Sequence, residues 1–305
     1  MILNSSVDQT MDNSNNMSYQ IDPQDIIKDV NALVSLPAVC VRINEMVEDT
    51  NYSAAEIGQA ISQDANLTAR VLKIANSSFY SFPSRIETIS RAITIIGNRE
   101  LRDLVLATAT IEAFDKIPID MANMQNFWRH SIHCGVVSRL LAAKCGMLHK
   151  ERMFISGLLH DVGHLVFYLK LPEIERQSML NAAIKNQDIF IEEKKLIGFD
   201  HAYIGGELLK YWGLPDSLVE PVKFHHEPSL AKQYVLDASI VHIANLIAKH
   251  TGLGNYNIAI NNLAIDALAL KLTNFSDEIL HTILPQAQIQ VADVMSVFLP
   301  KLKSA

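Results

Sequence analysis

Residues 151–170 read "ERMFISGLLHDVGHLVFYLK", an amphipathic helical pattern that stops before Pro172 and carries His160 and Asp161 side by side in an apolar run. Burying both side chains without partners costs several kcal/mol, so the pair needs a compensating contact. Two readings are open: the pair holds a metal and does chemistry, or it is what remains of such a site and now shapes the fold.

Outward from this stretch the pattern is helical almost throughout. Downstream come "IERQSMLNAAIKNQ", "HAYIGGELLKYWGLP" closed by Gly213 and Pro215, "DSLVEPVKFHH" with Asp216 as its expected cap, and "VLDASIVHIANLIAKH". Upstream lies "FWRHSIHCGVVSRLLAAKCG". Before it, a polar, proline-containing break, "DKIPIDMANMQN", separates a first helical half. That half includes "DPQDIIKDVNALVSL", with Pro23 at a helix start, and "SAAEIGQAISQ", with Ser53 and Glu56 spaced as a capping box. It continues through "NLTARVLKIANS", with Asn66 as the expected cap, and "TISRAITIIG", ending at Gly97. No convincing period-2 strand and no internal repeat is present. The expected fold is all-α. Residues 1–21, rich in Asn and Ser, read as a disordered leader. Residues 22–250 form a two-part helical domain (22–115 and 127–250), and residues 251–305 a C-terminal helical extension.

Composition narrows the class. The chain has 305 residues, enough for a substantial core, and 49% of them are apolar. A net charge of −7 and the lack of any run of five basic residues argue against nucleic acid as a partner. No apolar stretch reaches membrane-spanning length, so no membrane partner is expected. The three cysteines, Cys40, Cys134 and Cys145, lack CxxC spacing and read as reduced thiols of a cytoplasmic protein.

Eleven histidines cluster towards the second half. His130, His160, His201, His225 and His226 sit at helix starts, ends or apolar faces, with Asp161 among them. Imidazole and carboxylate suit zinc, manganese, iron and nickel, and several converging helices can complete a coordination sphere. A metal with an open position acidifies water and polarises a phosphoryl oxygen. His133, one turn from His130, is a candidate supporting partner. His149, His242, His250 and His281 read as hydrogen-bonded or surface residues.

"WRHS", "GLLHDVGHL", "HAYIGGELLKYWGLP" and "FHH", in this order, resemble the HD superfamily and within it the HDOD (HD-related output domain) family. The first half agrees: "LPAVCVRINEMVED", "EIGQAISQDANLTARVLKIANSSFY" and "TISRAITIIGNRELRDLVLA" are similar to its N-terminal part, including Asp64, Leu67, Leu72, Asn76, Ser77, Ala92 and Gly97. The resemblance spans about Leu36 to Ile247. Each motif alone is weak; their order and spacing are specific. It implies an all-helical bacterial signalling protein, with an HD-like bundle in the second half. Related HD-GYP enzymes are metal-dependent cyclic-di-GMP phosphodiesterases. Carried over residue by residue, the implied metal ligands are His130, His160, Asp161, His201, His225 and His226. The implied cofactor is a divalent metal: iron, manganese, zinc, nickel or magnesium.

Departures from the pattern qualify the activity. The last carboxylate of the set is replaced by Asn245, an amide that offers an oxygen without charge. His164 stands where relatives carry a lysine after "HDVG", and no Gly-Tyr-Pro signature follows His226. Asp237 lies two turns before Asn245 and cannot simply replace it. Asp161 and His164 remain the candidate catalytic residues. The expected function is a signal-transduction module with a degenerate metal pocket, acting by binding a signalling protein partner or a nucleotide ligand, with self-association open. The alternative is a metal-dependent phosphohydrolase acting on a nucleotide or cyclic dinucleotide.

Overall fold

Local signals start most of the helices. The structure, a computed structural model, describes residues 8–11, 17–34, 36–77, 80, 82–115, 123–251 and 258–298. The first half comprises α1 (Pro23–Asn31), α2 (Ala38–Glu48), α3 (Ala54–Ser62), α4 (Ala65–Ala75), α5 (Ile89–Ile96) and α6 (Asn98–Asp115). Asp22 caps α1 ahead of Pro23, Ser53 and Glu56 close the expected capping box on α3, and Gly97 ends α5 with φ 102°. The cap of α4 is Asp64, whose carboxylate accepts from the Leu67 amide at 3.0 Å; Asn66, expected there, lies inside the first turn.

The second half comprises α7 (Met124–Lys144), α8 (Lys150–Leu159), α9 (Val162–Lys170), α10 (Pro172–Lys185), α11 (Ile189–Ile197), α12 (His201–Tyr211), α13 (Asp216–Lys223) and α14 (Val235–Thr251). The extension adds α15 (Ala267–Thr273) and α16 (Asp277–Phe298). Asp216 is the first residue of α13, and Pro215 takes the cap position.

One difference from the expected fold concerns the leader. Asp8–Met11 (β1) and Met17–Gln20 (β2) pair antiparallel, with Asp8 opposite Gln20, and β2 lies beside α11. Tyr19 and Ile21, two residues apart, are half-buried against the core, and that alternation favours an extended segment over a structureless one. The rest of the leader, and residues 116–122 of the polar break, lie outside the described residues.

α7 forms the axis of the second half. It is buried on nearly all sides between α8, α14 and α16, which explains why it shows little amphipathic contrast. It approaches α8 closely: a Cβ on Gly157 would lie 2.8 Å from the Gly135 Cα and 2.8 Å from the Cys134 carbonyl. The first half packs onto this bundle through α1 against α9 and α12, α6 against α8, and α4 against α16. A single apolar cluster runs from Ile26 to Val297. Hydrogen bonds cross the seam from Trp212 Nε1 to Asn31 Oδ1 (3.2 Å) and from Asn44 Nδ2 to the Gly213 carbonyl (2.9 Å). Cys40, Cys134 and Cys145 are all free. Among the described residues no helix is long and apolar enough to cross a membrane.

Candidate metal centre

The helix expected across His160 and Asp161 is broken between them and their neighbours: α8 stops at Leu159 and α9 begins at Val162. In an unbroken helix adjacent side chains point about 100° apart. The break, with Asp161 at φ −98° and ψ 9°, brings both side chains into one cluster. α7 supplies His130, the first residue of α12 is His201, His225 and His226 follow the end of α13, and α14 supplies Asn245. All seven residues that the sequence singled out as ligands converge.

The two oxygens of Asp161 face different partners. Oδ2 lies 3.1 Å from His160 Nε2 and 3.4 Å from His130 Nε2. Oδ1 lies 3.4 Å from His201 Nε2 and 3.7 Å from His225 Nε2. Asn245 Oδ1 joins the first group at 3.2 Å from His130 Nε2, and His226 Nε2 joins the second at 2.9 Å from His201 Nε2. Donor atoms bound at ~2.1 Å to one ion and at right angles would be about 3 Å apart, so these spacings suit ligation.

Three of the histidines are locked in orientation. The Nδ1–H of His160 donates to the Gly157 carbonyl and that of His225 to the Val222 carbonyl, each at 2.8 Å. The Nδ1–H of His201 donates to Glu193 Oε2 at 2.7 Å, and the His201 amide donates to the same oxygen. Each lock leaves Nε2 to face the cluster. His225 Nε2 is buried with no hydrogen-bond partner, the state of a lone pair that awaits a cation.

Electrostatics agree. Burial, reinforced by His225 and His160 respectively, holds His226 and His225 well below the usual imidazole range, so both are neutral donors. Burial alone would do the same to His160, but the Asp161 carboxylate overrides it and pushes His160 up to about 10. For His201 burial is likewise overridden, by Glu193 and Asp161, and its pKa rises well above the ordinary value. Burial opposes the charge of Asp161, yet His160 and the hydrogen bonds of His130, His160 and His201 hold it ionised. Each oxygen of Asp161 thus faces one histidine that carries positive charge when no metal is present.

His164 lies behind this layer. Its ring stacks on His201 at 3.7 Å, and its Nδ1 is 2.7 Å from Glu175 Oε1. Glu175 and Glu193 are fully buried and were not singled out from the sequence. The signal was available: Glu193 falls in line with Ile189 and Ile197 on the apolar face of α11, and Glu175 with Leu171 and Ser178 on α10. Phe190, also missed, stacks on His226 at 4.2 Å. His133 lies against Thr251 Oγ1 (3.2 Å). Asp237 pairs with Arg152 and stays out of the cluster. His242 is hydrogen-bonded, as expected, donating from Nδ1 to the His225 carbonyl at 2.8 Å.

Residues 33–228 match the HDOD domain family. The chain belongs to that family. A solved structure from Shewanella amazonensis SB2B, named "Putative phosphohydrolase", is 25% identical, covers 88% of this chain and 97% of its own, and superposes with a TM-score of 0.68. An HDOD domain protein of unknown function from Geobacter sulfurreducens has 23% identity, 90% and 98% coverage and a TM-score of 0.69, which speaks to the fold. An uncharacterized protein of Treponema pallidum is 26% identical over 219 residues, 71% of this chain. This HDOD chain spans only 42% of that relative's length. The family match ends before Asn245, so α14 and the extension lie beyond it.

Proposed function

We propose that the protein is a regulatory HDOD module of bacterial signal transduction, working in the cytoplasm, whose histidine cluster holds divalent metal and presents it to a phosphate-bearing ligand or a signalling partner. The observation that carries this reading is Asp161, whose two oxygens face two separate sets of donors while Asn245 fills the place of a second carboxylate. His130, His160, Asp161 and Asn245 would hold one ion; Asp161, His201, His225 and His226 the other. Such ions, when bound, polarise phosphoryl oxygens and acidify water. The chain's own residues do the positioning. The Gly157 and Val222 carbonyls fix the protons of His160 and His225 on Nδ1, and Glu193 does so for His201. Asp161 is the sole carboxylate among these ligands, which argues for binding over rapid turnover.

Phosphohydrolase activity is the second reading. It is favoured by retention of five histidines and Asp161 in one cluster, and by the name of the Shewanella relative. Metal analysis of protein purified without a metal-affinity tag tests the first reading. We expect bound divalent metal in the wild type, almost none in Asp161→Ala, and a roughly 10- to 100-fold weaker affinity in Glu193→Gln, because a neutral amide holds the His201 Nδ1–H less strongly than a carboxylate does. A folded wild type that takes up no divalent metal would sink this reading. Rapid phosphodiester hydrolysis lost in Asp161→Ala would establish the second.

A further inference from the structure

A cavity of about 230 Å³ opens against the cluster at His226 and Asn245. Phe190, Leu246 and Ile265 form its apolar walls, and Lys249 is the one lysine or arginine among its lining residues. We propose that Lys249 is the ligand-selecting cation of this cavity, which admits the terminal phosphate of a monoester, or free phosphate, in preference to the internal diester of a cyclic dinucleotide. The proposal rests on the metal-binding reading of the cluster.

Position is the first argument. Lys249 follows Asn245 by one turn of α14, so both side chains lie on the same face. His164, at the place where the family resemblance sets a phosphate cation, is held by Glu175 behind His201 and does not line the cavity.

Availability is the second. Lys249 pairs with Asp188 at 3.2 Å, but both side chains are substantially exposed (37% and 52%). An ion pair this exposed is weak, so an incoming dianion competes with it readily. The other groups lining the cavity are committed. Asp266 Oδ1 accepts from the Leu268 and Ala269 amides at the start of α15. His242 donates to the His225 carbonyl and accepts from the Asp266 amide.

Size and charge set the ligand class. Pockets that enclose drug-sized molecules run to roughly 300–1,000 Å³, so this space takes a phosphate end and leaves the remainder of a larger molecule outside. An internal diester carries a substituent on both sides of phosphorus and so needs more space at the cluster than a terminal phosphate, which carries one. Two divalent ions and Lys249 carry more charge than Asp161, Asp188 and Asp266 together, and that surplus of positive charge favours a dianion over a monoanion.

The test is calorimetric titration of the full manganese-loaded chain with inorganic phosphate, a nucleoside 5′-monophosphate and cyclic-di-GMP. Wild type, Lys249→Gln and Lys249→Arg are compared, with metal content and thermal melting measured on each. We expect phosphate and the monophosphate to bind, the Gln variant to lose roughly 10- to 100-fold in affinity, and the Arg variant to retain it within a few-fold, at equal metal content. Tighter binding of the monophosphate than of phosphate identifies a monoester ligand; equal binding identifies the phosphate group alone. Unchanged phosphate affinity in Lys249→Gln, absence of phosphate binding, or tighter binding of the cyclic dinucleotide overturns the proposal. Should the wild type take up no manganese, the metal reading fails by itself. The same titrations on metal-free protein then decide: Lys249-dependent phosphate binding sustains the proposal and its absence overturns it.

Discussion

At the scale of the residue, the centre turns on one atom exchange, an amide nitrogen for a carboxylate oxygen at position 245. The Asn245 oxygen is 3.2 Å from His130 Nε2, inside the cluster but without the negative charge of a carboxylate. Asn245→Asp restores that charge with little change in shape. Divalent-metal affinity, measured by competition with a chelator, should rise by about tenfold or more, equivalent to ~1.4 kcal/mol. An unchanged affinity would show that position 245 does not ligate. His133 gives a second residue-scale expectation. Burial pushes its pKa down to about 4, helped by the charge of His130. Between pH 6.5 and 4 the unfolded chain therefore holds more protons at this residue than the folded one. The contribution to stability is complete above pH 6.5 and falls as pH drops, by about 3 kcal/mol at most. His133→Gln should therefore show a shallower loss of urea-unfolding free energy between pH 7 and 4.5. Parallel pH profiles for the two proteins would contradict this.

At the scale of the element, the cluster depends on how closely α9 meets α12. A Cβ on Gly163 would lie 1.9 Å from the His201 carbonyl oxygen, a contact with backbone that no rotamer change can relieve. Gly163→Ala should therefore separate the two helices, cost about 3 kcal/mol or more by urea unfolding, and weaken metal binding by moving His201 away from Asp161. Wild-type stability in this variant would mean that the helices sit further apart. This level shows what sequence reveals and what it withholds. Apolar periodicity and caps such as Ser53–Glu56 place most helices, because these signals are local. The order of the histidine motifs marks the seven residues that the fold brings together, because each motif is short and local. The break between α8 and α9 is not legible, since Gly157–Tyr168 has helical apolar spacing throughout and no proline or other breaker at His160–Asp161. Glu175 and Glu193 are missed because each stands near a second glutamate, Glu173 and Glu192, in a charged stretch that reads as a solvated face. Their meaning depends on His164 and His201, 11 and 8 residues away. The β1–β2 pair is missed because its few alternating residues sit in an Asn- and Ser-rich stretch.

At the scale of the whole molecule, the question is whether the two helical halves and the extension unfold as one. The apolar cluster is continuous from α1 to α16, and α16 seats Leu280, Ile283, Ala287 and Val294 in it while packing on α7 and α4. The two tryptophans report on different places. Trp128 is buried in α7, two residues before His130, with its ring edge-on to Phe127 at 5.0 Å. Trp212 sits at the seam, its Nε1–H bonded to Asn31 of the first half and its ring 6.4 Å from that of Phe114. Trp128→Phe and Trp212→Phe each leave one tryptophan. If the halves form one cooperative unit, fluorescence of either remaining tryptophan and helical circular dichroism should give the same urea midpoint within each variant. Phe114→Ala removes a fully buried ring at the seam, in the first half, and should lower stability by about 3–5 kcal/mol. In a single unit that loss lowers the Trp128 transition and the Trp212 transition together, although Phe114 lies on α6 and Trp128 on α7. A Trp128 transition left in place while the Trp212 transition falls would show that the histidine-bearing bundle folds independently of the first half.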